Sequence, residues 1–198
     1  QPELKIEVYP NFTYSSEINA VLTWMPPLGV IEQFPNLKVI ISKGAGVDHI
    51  LRDPNLPANI PIVRLVDDSL TLQMSEYILL AVLQYHRQFI TYKTQQNQGL
   101  WQGLSPRNTA NCTVGILGLG VLGLDIAQKL KMMGFAVRGW SRTPKVLNNI
   151  DCFSGKEEFN LFLSQCSVLV CLLPLTPETE GILNQNTFSA LPQGAYLI

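Results

Sequence analysis

Histidine is scarce in this chain of 198 residues, where His49 and His86 are the only two. The four cysteines, Cys112, Cys152, Cys166 and Cys171, form no C-x-x-C pair and have no histidine at ligand spacing. No metal or disulfide framework is therefore expected; the thiols read as reduced and mostly buried, as in a cytoplasmic protein. Basic residues form no block: 14 Lys and Arg stand against 15 Asp and Glu, for a net charge of -1. Nucleic acid is thereby disfavoured as the main partner. Apolar runs stay short of the ~18 residues of a membrane span, so no membrane partner is expected. The opening QPELKIEVYP lacks a charged segment followed by an apolar one, so no signal peptide is expected there.

What is present is an alternation of short apolar runs with helical patterns, the signature of an α/β protein with parallel sheets. Residues 4–8, 20–24, 37–42 and 60–66 read as strands, with short helices near 29–34 and 47–52. From 69 to about 98 the pattern predicts one long helix, N-capped by Asp68 or Ser69. Its first half is apolar nearly all round and is expected to be buried; its second half is polar. Such a helix reads as the junction between two domains, 1–68 and 69–198. After the arm GLWQGLSPRN a second unit begins at Thr113. The terminal AYLI reads as a buried strand, and the chain reads as a piece of something longer, truncated in both domains.

The second unit opens TVGILGLGVLGLDIAQKLKMMG. A strand over 113–117 leads into Gly118, Gly120 and Gly123, then into an amphipathic helix over 122–133 closed by Gly134. In this setting Gly118 permits a tight turn, Gly120 admits a pyrophosphate, and Gly123 lets helix and strand approach. The helix N-terminus adds free N–H groups and partial positive charge. The backbone from Gly118 through Leu119, Gly120, Val121, Leu122 and Gly123 is thus the predicted phosphate cradle of a dinucleotide. The Pro-interrupted loop after 167–172, with Leu173, Pro174 and Thr179, is expected at the same ligand-binding edge.

The segment FAVRGWSRTPK follows at the offset where dinucleotide sites meet the adenosine ribose. Sites for NAD carry an acid there, and this sequence has none between Asp125 and Asp151. Trp140, Ser141, Arg142, Thr143 and Lys145 stand in its place, offering hydroxyls and two cations suited to a 2′-phosphate. The expected cofactor is NADP(H).

Several stretches together resemble a known family: SKGAGVDHI, QMSEYILL, VGILGLGVLG, GWSRTPK, LLPLTPETEGILN and LPQGAYLI. In order and spacing they are similar to the D-isomer-specific 2-hydroxyacid dehydrogenases, most closely the glyoxylate/hydroxypyruvate reductase A type. The resemblance implies two Rossmann-like domains, a flavodoxin-like substrate domain and an NAD(P)-binding domain. It further implies hydride transfer from NADPH to a small 2-oxo acid, a histidine–glutamate proton donor and a carboxylate-binding arginine. All three of those residues fall beyond Ile198 in the family pattern, so residues 1–198 alone are expected to be inactive. By the same resemblance, Ala45 and Gly46, in the loop Lys43–Gly44–Ala45–Gly46, bind the substrate carboxylate through backbone N–H groups. Consecutive N–H groups of this kind form an anion-binding nest. Trp24 is expected to wall that pocket, and Met74 to approach the nicotinamide. His49 and His86 read as surface or helix-capping residues rather than catalytic ones, and Arg64 and Arg107 as unsupported substitutes for the missing arginine. A homodimer formed through the cofactor domain and the arm at 98–107 is implied as well. Two other readings share the scaffold: a nucleotide-sensing corepressor, and a formate or phosphoglycerate dehydrogenase.

Overall fold

A computed structural model describes residues 4–198. Its chain divides into two compact units, one of residues 1–66 with 174–176, the other of 67–173 with 177–198.

In the first unit, β1 (Ala20–Thr23), β2 (Val39–Ser42) and β3 (Ile62–Arg64) form a parallel sheet in the order β1-β2-β3. A short helix, α1 (Asp48–Leu51), follows β2. Val30, Ile31, Phe34, Leu37, Ile40 and Ile50 close its core. The strand expected at 4–8 does not form. Leu4, Ile6 and Val8 alternate correctly but are 66%, 73% and 72% exposed, and only an isolated bridge joins Val8 to Asn11. Alternation makes a strand only where a neighbour takes up its hydrogen bonds.

In the second unit β4 (Thr113–Leu117), β5 (Ala136–Ser141), β6 (Asp151–Ser154), β7 (Val168–Cys171) and β8 (Tyr196–Leu197) form a parallel sheet in the order β6-β5-β4-β7-β8. The chain grows outward from β4 in one direction and then in the other, so the switch point lies between β4 and β7. Both faces are covered. Val114, Ile116, Val168 and Val170 pack on one side, with Ile126, Ala127 and Leu130 of α4 (Val121–Met132). Leu117 and Leu169 pack on the other, with Phe162 and Leu163 of α5 (Phe159–Leu163) and with Cys166. A short α6 (Gln185–Ala190) precedes β8. Among the described residues β8 is the edge strand, with Tyr196 and Leu197 39% and 41% exposed.

The long helix is interrupted. Helix α2 (Asp68–His86) ends at Arg87, Gln88 takes a left-handed conformation at φ 55°, and α3 (Phe89–Asn97) begins anew. Neither glycine nor proline marks the break. Gln88 instead donates its side-chain amide to the Ser105 carbonyl at 3.0 Å, which holds the turn. The N-cap of α2 is Asp67, whose carboxylate accepts from the Ser69 N–H, and not Asp68 or Ser69. Burial is likewise narrower than the composition suggests. Ser75, Ile78, Val82 and His86 form one buried stripe, whereas Leu72, Tyr77 and Leu80 are exposed.

His86 is buried, not superficial, and lies edge-on to Phe135 at 5.1 Å between ring centroids. Its Nδ1 has no hydrogen-bond partner among the described residues. Burial, with Arg87 and Arg107 nearby, pushes its pKa below the ordinary histidine value. The folded state therefore binds fewer protons than the unfolded chain, and stability present above about pH 6.5 declines as pH falls below it. The expected decline is at most about 1.4 kcal/mol per pH unit for one proton. Urea unfolding between pH 7.5 and 5 should show it, and His86→Leu should flatten it; an equal slope in both proteins would refute the assignment.

Candidate functional site

Three loops meet at the carboxyl edge of the second sheet. Leu117 of β4 is in register with Trp140 of β5 and Cys171 of β7. The Gly118 N–H donates to the Trp140 carbonyl, and the Leu172 N–H to the Leu117 carbonyl. The segments after β4, β5 and β7 are therefore neighbours at the switch point, where open α/β sheets take their ligands.

Each glycine of the turn has a distinct physical reason. Gly118 sits at φ +102°, a conformation L side chains rarely adopt. Gly123 has no room: a Cβ there would lie 1.9 Å from the Gly118 carbonyl oxygen. Gly120 is the opposite case, because a Cβ would meet nothing within 4 Å. That space is where a pyrophosphate would approach the backbone. The first turn-closing bond of α4 runs from the Leu124 N–H to the Gly120 carbonyl. The N–H groups of Val121, Leu122 and Gly123 consequently have no backbone acceptor, as an anion-binding helix start requires.

Beyond β5, Arg142 is exposed and makes no ion pair or hydrogen bond with the described residues. Ser141 is buried, and its hydroxyl donates to the Thr143 carbonyl at 2.7 Å, which shapes the turn. Lys145 donates to the Leu119 carbonyl at 2.7 Å and so fastens the β5 loop to the glycine turn. Trp140 faces away, its indole N–H bonded to the Gly155 carbonyl and its ring edge-on to Phe159. Gly139 was missed by the motif reading. A Cβ there would meet the Leu119 side chain at 2.4 Å, so the strand is hollowed to seat the glycine turn. An isolated glycine inside a strand run was the available signal.

Of the remaining sequence candidates, Leu173 lies beside the turn, its Cδ2 3.2 Å from where a Gly118 Cβ would stand. Pro174 groups with the first unit, Thr179 lies in the second, and Met74 is half-buried on α2. The residues described hold no cluster of three or more His, Cys, Asp or Glu fit for a metal ion, and no helix is long and apolar enough to cross a membrane. All four thiols are free. Burial pushes the Cys166 thiol up to about 12, so it is inert packing against β4.

In the first unit the loop after β2 carries Lys43, Gly44, Ala45 and Gly46. Among the described residues no hydrogen bond uses the N–H groups of Ala45 and Gly46. Gly44 is needed for space, since the Trp24 ring comes within 2.1 Å of where its Cβ would stand. Trp24 in turn packs on His49, 4.5 Å between ring centroids. His49 is buried, not superficial, and its Nε2 lies 3.2 Å from the Ser42 hydroxyl.

A profile of the D-isomer specific 2-hydroxyacid dehydrogenase family, NAD binding domain, matches residues 79–198. The chain is 47% identical over 182 residues to glyoxylate/hydroxypyruvate reductase A of Yersinia enterocolitica, covering 89% of this chain and 58% of that protein. For the Serratia proteamaculans protein of the same name the identity is 46% with the same coverage. The chain thus spans somewhat over half the length of the curated relatives it matches. Among solved structures, a D-isomer specific 2-hydroxyacid dehydrogenase from Xanthobacter autotrophicus, in complex with NADPH and MES, superposes with a TM-score of 0.89. It is 41% identical, over 94% of this chain and 59% of that one. An NADPH-dependent glyoxylate/hydroxypyruvate reductase from Sinorhizobium meliloti, in complex with NADP and sulfate, gives 0.85 at 42% identity, over 90% of this chain and 57% of that one. This chain belongs to the D-isomer specific 2-hydroxyacid dehydrogenase family.

Proposed function

We propose that this family member, as part of its full-length protein, reduces a small 2-oxo acid of the glyoxylate or hydroxypyruvate kind with NADPH. Residues 1–68 belong in this reading to the substrate domain and 69–198 to the cofactor domain. The observation that carries the cofactor assignment is the free guanidinium of Arg142 beside a glycine turn with an open Gly120. The residues fit the group: helix N–H groups for the pyrophosphate and a planar cation for the 2′-phosphate. Bound NADPH would supply hydride.

The chain's own contribution to the substrate is the pair of N–H groups at Ala45 and Gly46, which receive the carboxylate. Neither histidine is a proton donor here, because His49 is engaged with Ser42 and His86 is buried against Phe135. Proton donation falls to the histidine–glutamate pair expected after residue 198. Glyoxylate-dependent oxidation of NADPH by the full-length protein tests the reading, and no turnover with either 2-oxo acid would end it. In that protein Gly46→Pro removes one N–H and fixes φ. The glyoxylate KM should rise about tenfold or more for a lost bond to a charged group, with the NADPH KM unchanged. An unaltered glyoxylate KM in a folded variant would remove Gly46 from the site.

We also propose that α3 and the following arm form part of a homodimer contact. Trp101 is fully exposed, Ile90 is 62% exposed, and Phe89, Tyr92, Leu100 and Trp101 help line a groove of about 570 Å³. Apolar surface gathered in this way marks an association site. Sedimentation should find the full-length protein dimeric and Trp101→Glu shifted to monomer; a monomeric parent would refute this.

A further inference from the structure

We propose that Ser42 and His49, with Arg64, are positioning residues that aim the carboxylate-binding N–H groups of the Lys43–Gly46 loop. The inference rests on the reading of Ala45 and Gly46 given above and extends it to side chains that touch no substrate.

The Ser42 hydroxyl is fully buried and has four neighbours. These are the Gly46 carbonyl at 2.9 Å, the Gly44 carbonyl at 3.3 Å, the Gly44 N–H at 3.2 Å and His49 Nε2 at 3.2 Å. A hydroxyl has one proton to give and two lone pairs to accept with. Its single proton is shared between the two carbonyls, more closely with Gly46, and its lone pairs accept from the Gly44 N–H and from His49. That requires the proton of His49 to sit on Nε2. The opposite tautomer would make Nε2 a third acceptor competing for a single hydrogen. Trp24 packs against the imidazole with its ring tilted by 45° and fills the space over Gly44, so the imidazole is held where the donation is made.

The consequence follows from the peptide bond. In a planar trans peptide the carbonyl of one residue and the N–H of the next point in opposite directions. Ser42 draws the Gly44 carbonyl inward, which turns the Ala45 N–H outward. Arg64 donates from Nη1 to the Ala45 carbonyl at 3.1 Å, which turns the Gly46 N–H away from Arg64. The Gly44, Ala45 and Gly46 carbonyls are thereby each held by a side-chain donor, the first and last through the shared Ser42 proton. An arriving carboxylate meets N–H groups while these three carbonyl oxygens are held by donors, which is what a preorganised anion site needs. His49 acts through Ser42, and Ser42 through the backbone.

The test is steady-state kinetics on the full-length protein, with glyoxylate and NADPH KM measured separately alongside thermal midpoints. Ser42→Ala and His49→Leu should each raise the glyoxylate KM about tenfold, the size of one hydrogen bond to a charged group. The NADPH KM should stay within about twofold in both. His49→Gln, whose amide can still donate to Ser42, should recover most of the loss. Arg64→Ala, at an exposed site where folding is not at stake, should raise the glyoxylate KM as well. Unchanged glyoxylate KM in these variants, or equal rises for both substrates accompanied by loss of stability, would overturn the proposal. If Gly46→Pro raises the glyoxylate KM while these variants do not, the carboxylate site stands and only the positioning role falls. A parent protein with no turnover on 2-oxo acids defeats the functional reading itself, and this inference with it.

Discussion

Gly123→Ala is expected to destabilise the second unit severely, whereas Gly120→Ala, three residues earlier, should leave its stability untouched and weaken the cofactor. The contrast follows from space alone. A methyl at 123 would stand 1.9 Å from the Gly118 carbonyl oxygen and 3.0 Å from its carbon. Those atoms belong to a turn that is itself fixed by the Gly118 N–H bond to Trp140 and by φ +102°. Relief requires α4 to move off β4, opening the layer in which Ile126, Ala127 and Leu130 meet Val114 and Ile116. Overpacking of this kind costs about 3 kcal/mol or more, a fall of roughly 10 °C in thermal midpoint for a domain of this size. At Gly120 the backbone is extended, at φ -79°, and the methyl would enter empty space. Its expected effect is a midpoint unchanged within about 1 °C and an NADPH Kd raised at least tenfold, because the phosphate can no longer reach the backbone. Calorimetry and fluorescence titration of the two full-length variants separate the cases. A stable Gly123→Ala protein would refute the packing argument, and a Gly120→Ala protein that binds NADPH normally would show that the turn is not built for a pyrophosphate.

Arg142→Ala should cost NADPH about 1.5–3 kcal/mol of binding, on the order of 10- to 150-fold, and leave NADH nearly unaffected. The side chain is exposed at the end of the strand that abuts the glycine turn, and no acid accompanies it in the sequence up to Asp151. A guanidinium in water contributes little to an ordinary surface pair, but it can meet a 2′-phosphate with two parallel charge-assisted bonds. Lys145 provides the internal contrast. Its ammonium is spent on the Leu119 carbonyl, so Lys145→Ala loosens the turn that serves both cofactors and should weaken NADPH and NADH alike. Kd values for both cofactors with both variants decide it. Equal losses in Arg142→Ala, or a parent preference for NADH, would refute the 2′-phosphate assignment.

What the sequence determined by itself is the second unit's ligand edge. The strand at 113–117, the spacing of Gly118, Gly120 and Gly123, the amphipathic helix and the cation at 142 are each local: propensity, turn conformation and periodicity act over a few residues and leave their mark there. The structure keeps all of them, with the helix displaced by one residue. What only the tertiary structure decided is whatever depends on distant partners. Residues 4–8 alternate as a strand but find no partner strand among the described residues. Helix α2 stops at Arg87 because Gln88 finds the Ser105 carbonyl 17 residues on, a contact no helical period announces. His49 and His86 look superficial among polar neighbours, yet Trp24 covers one and Phe135 the other. The bond from Ser42 to His49, the contact of Gly139 with Leu119 and the hold of Lys145 on the glycine turn all join separate segments. A pattern of burial along one element records which face is apolar; it carries no record of which side chain arrives from elsewhere, and that arrival is what aims the groups of a site.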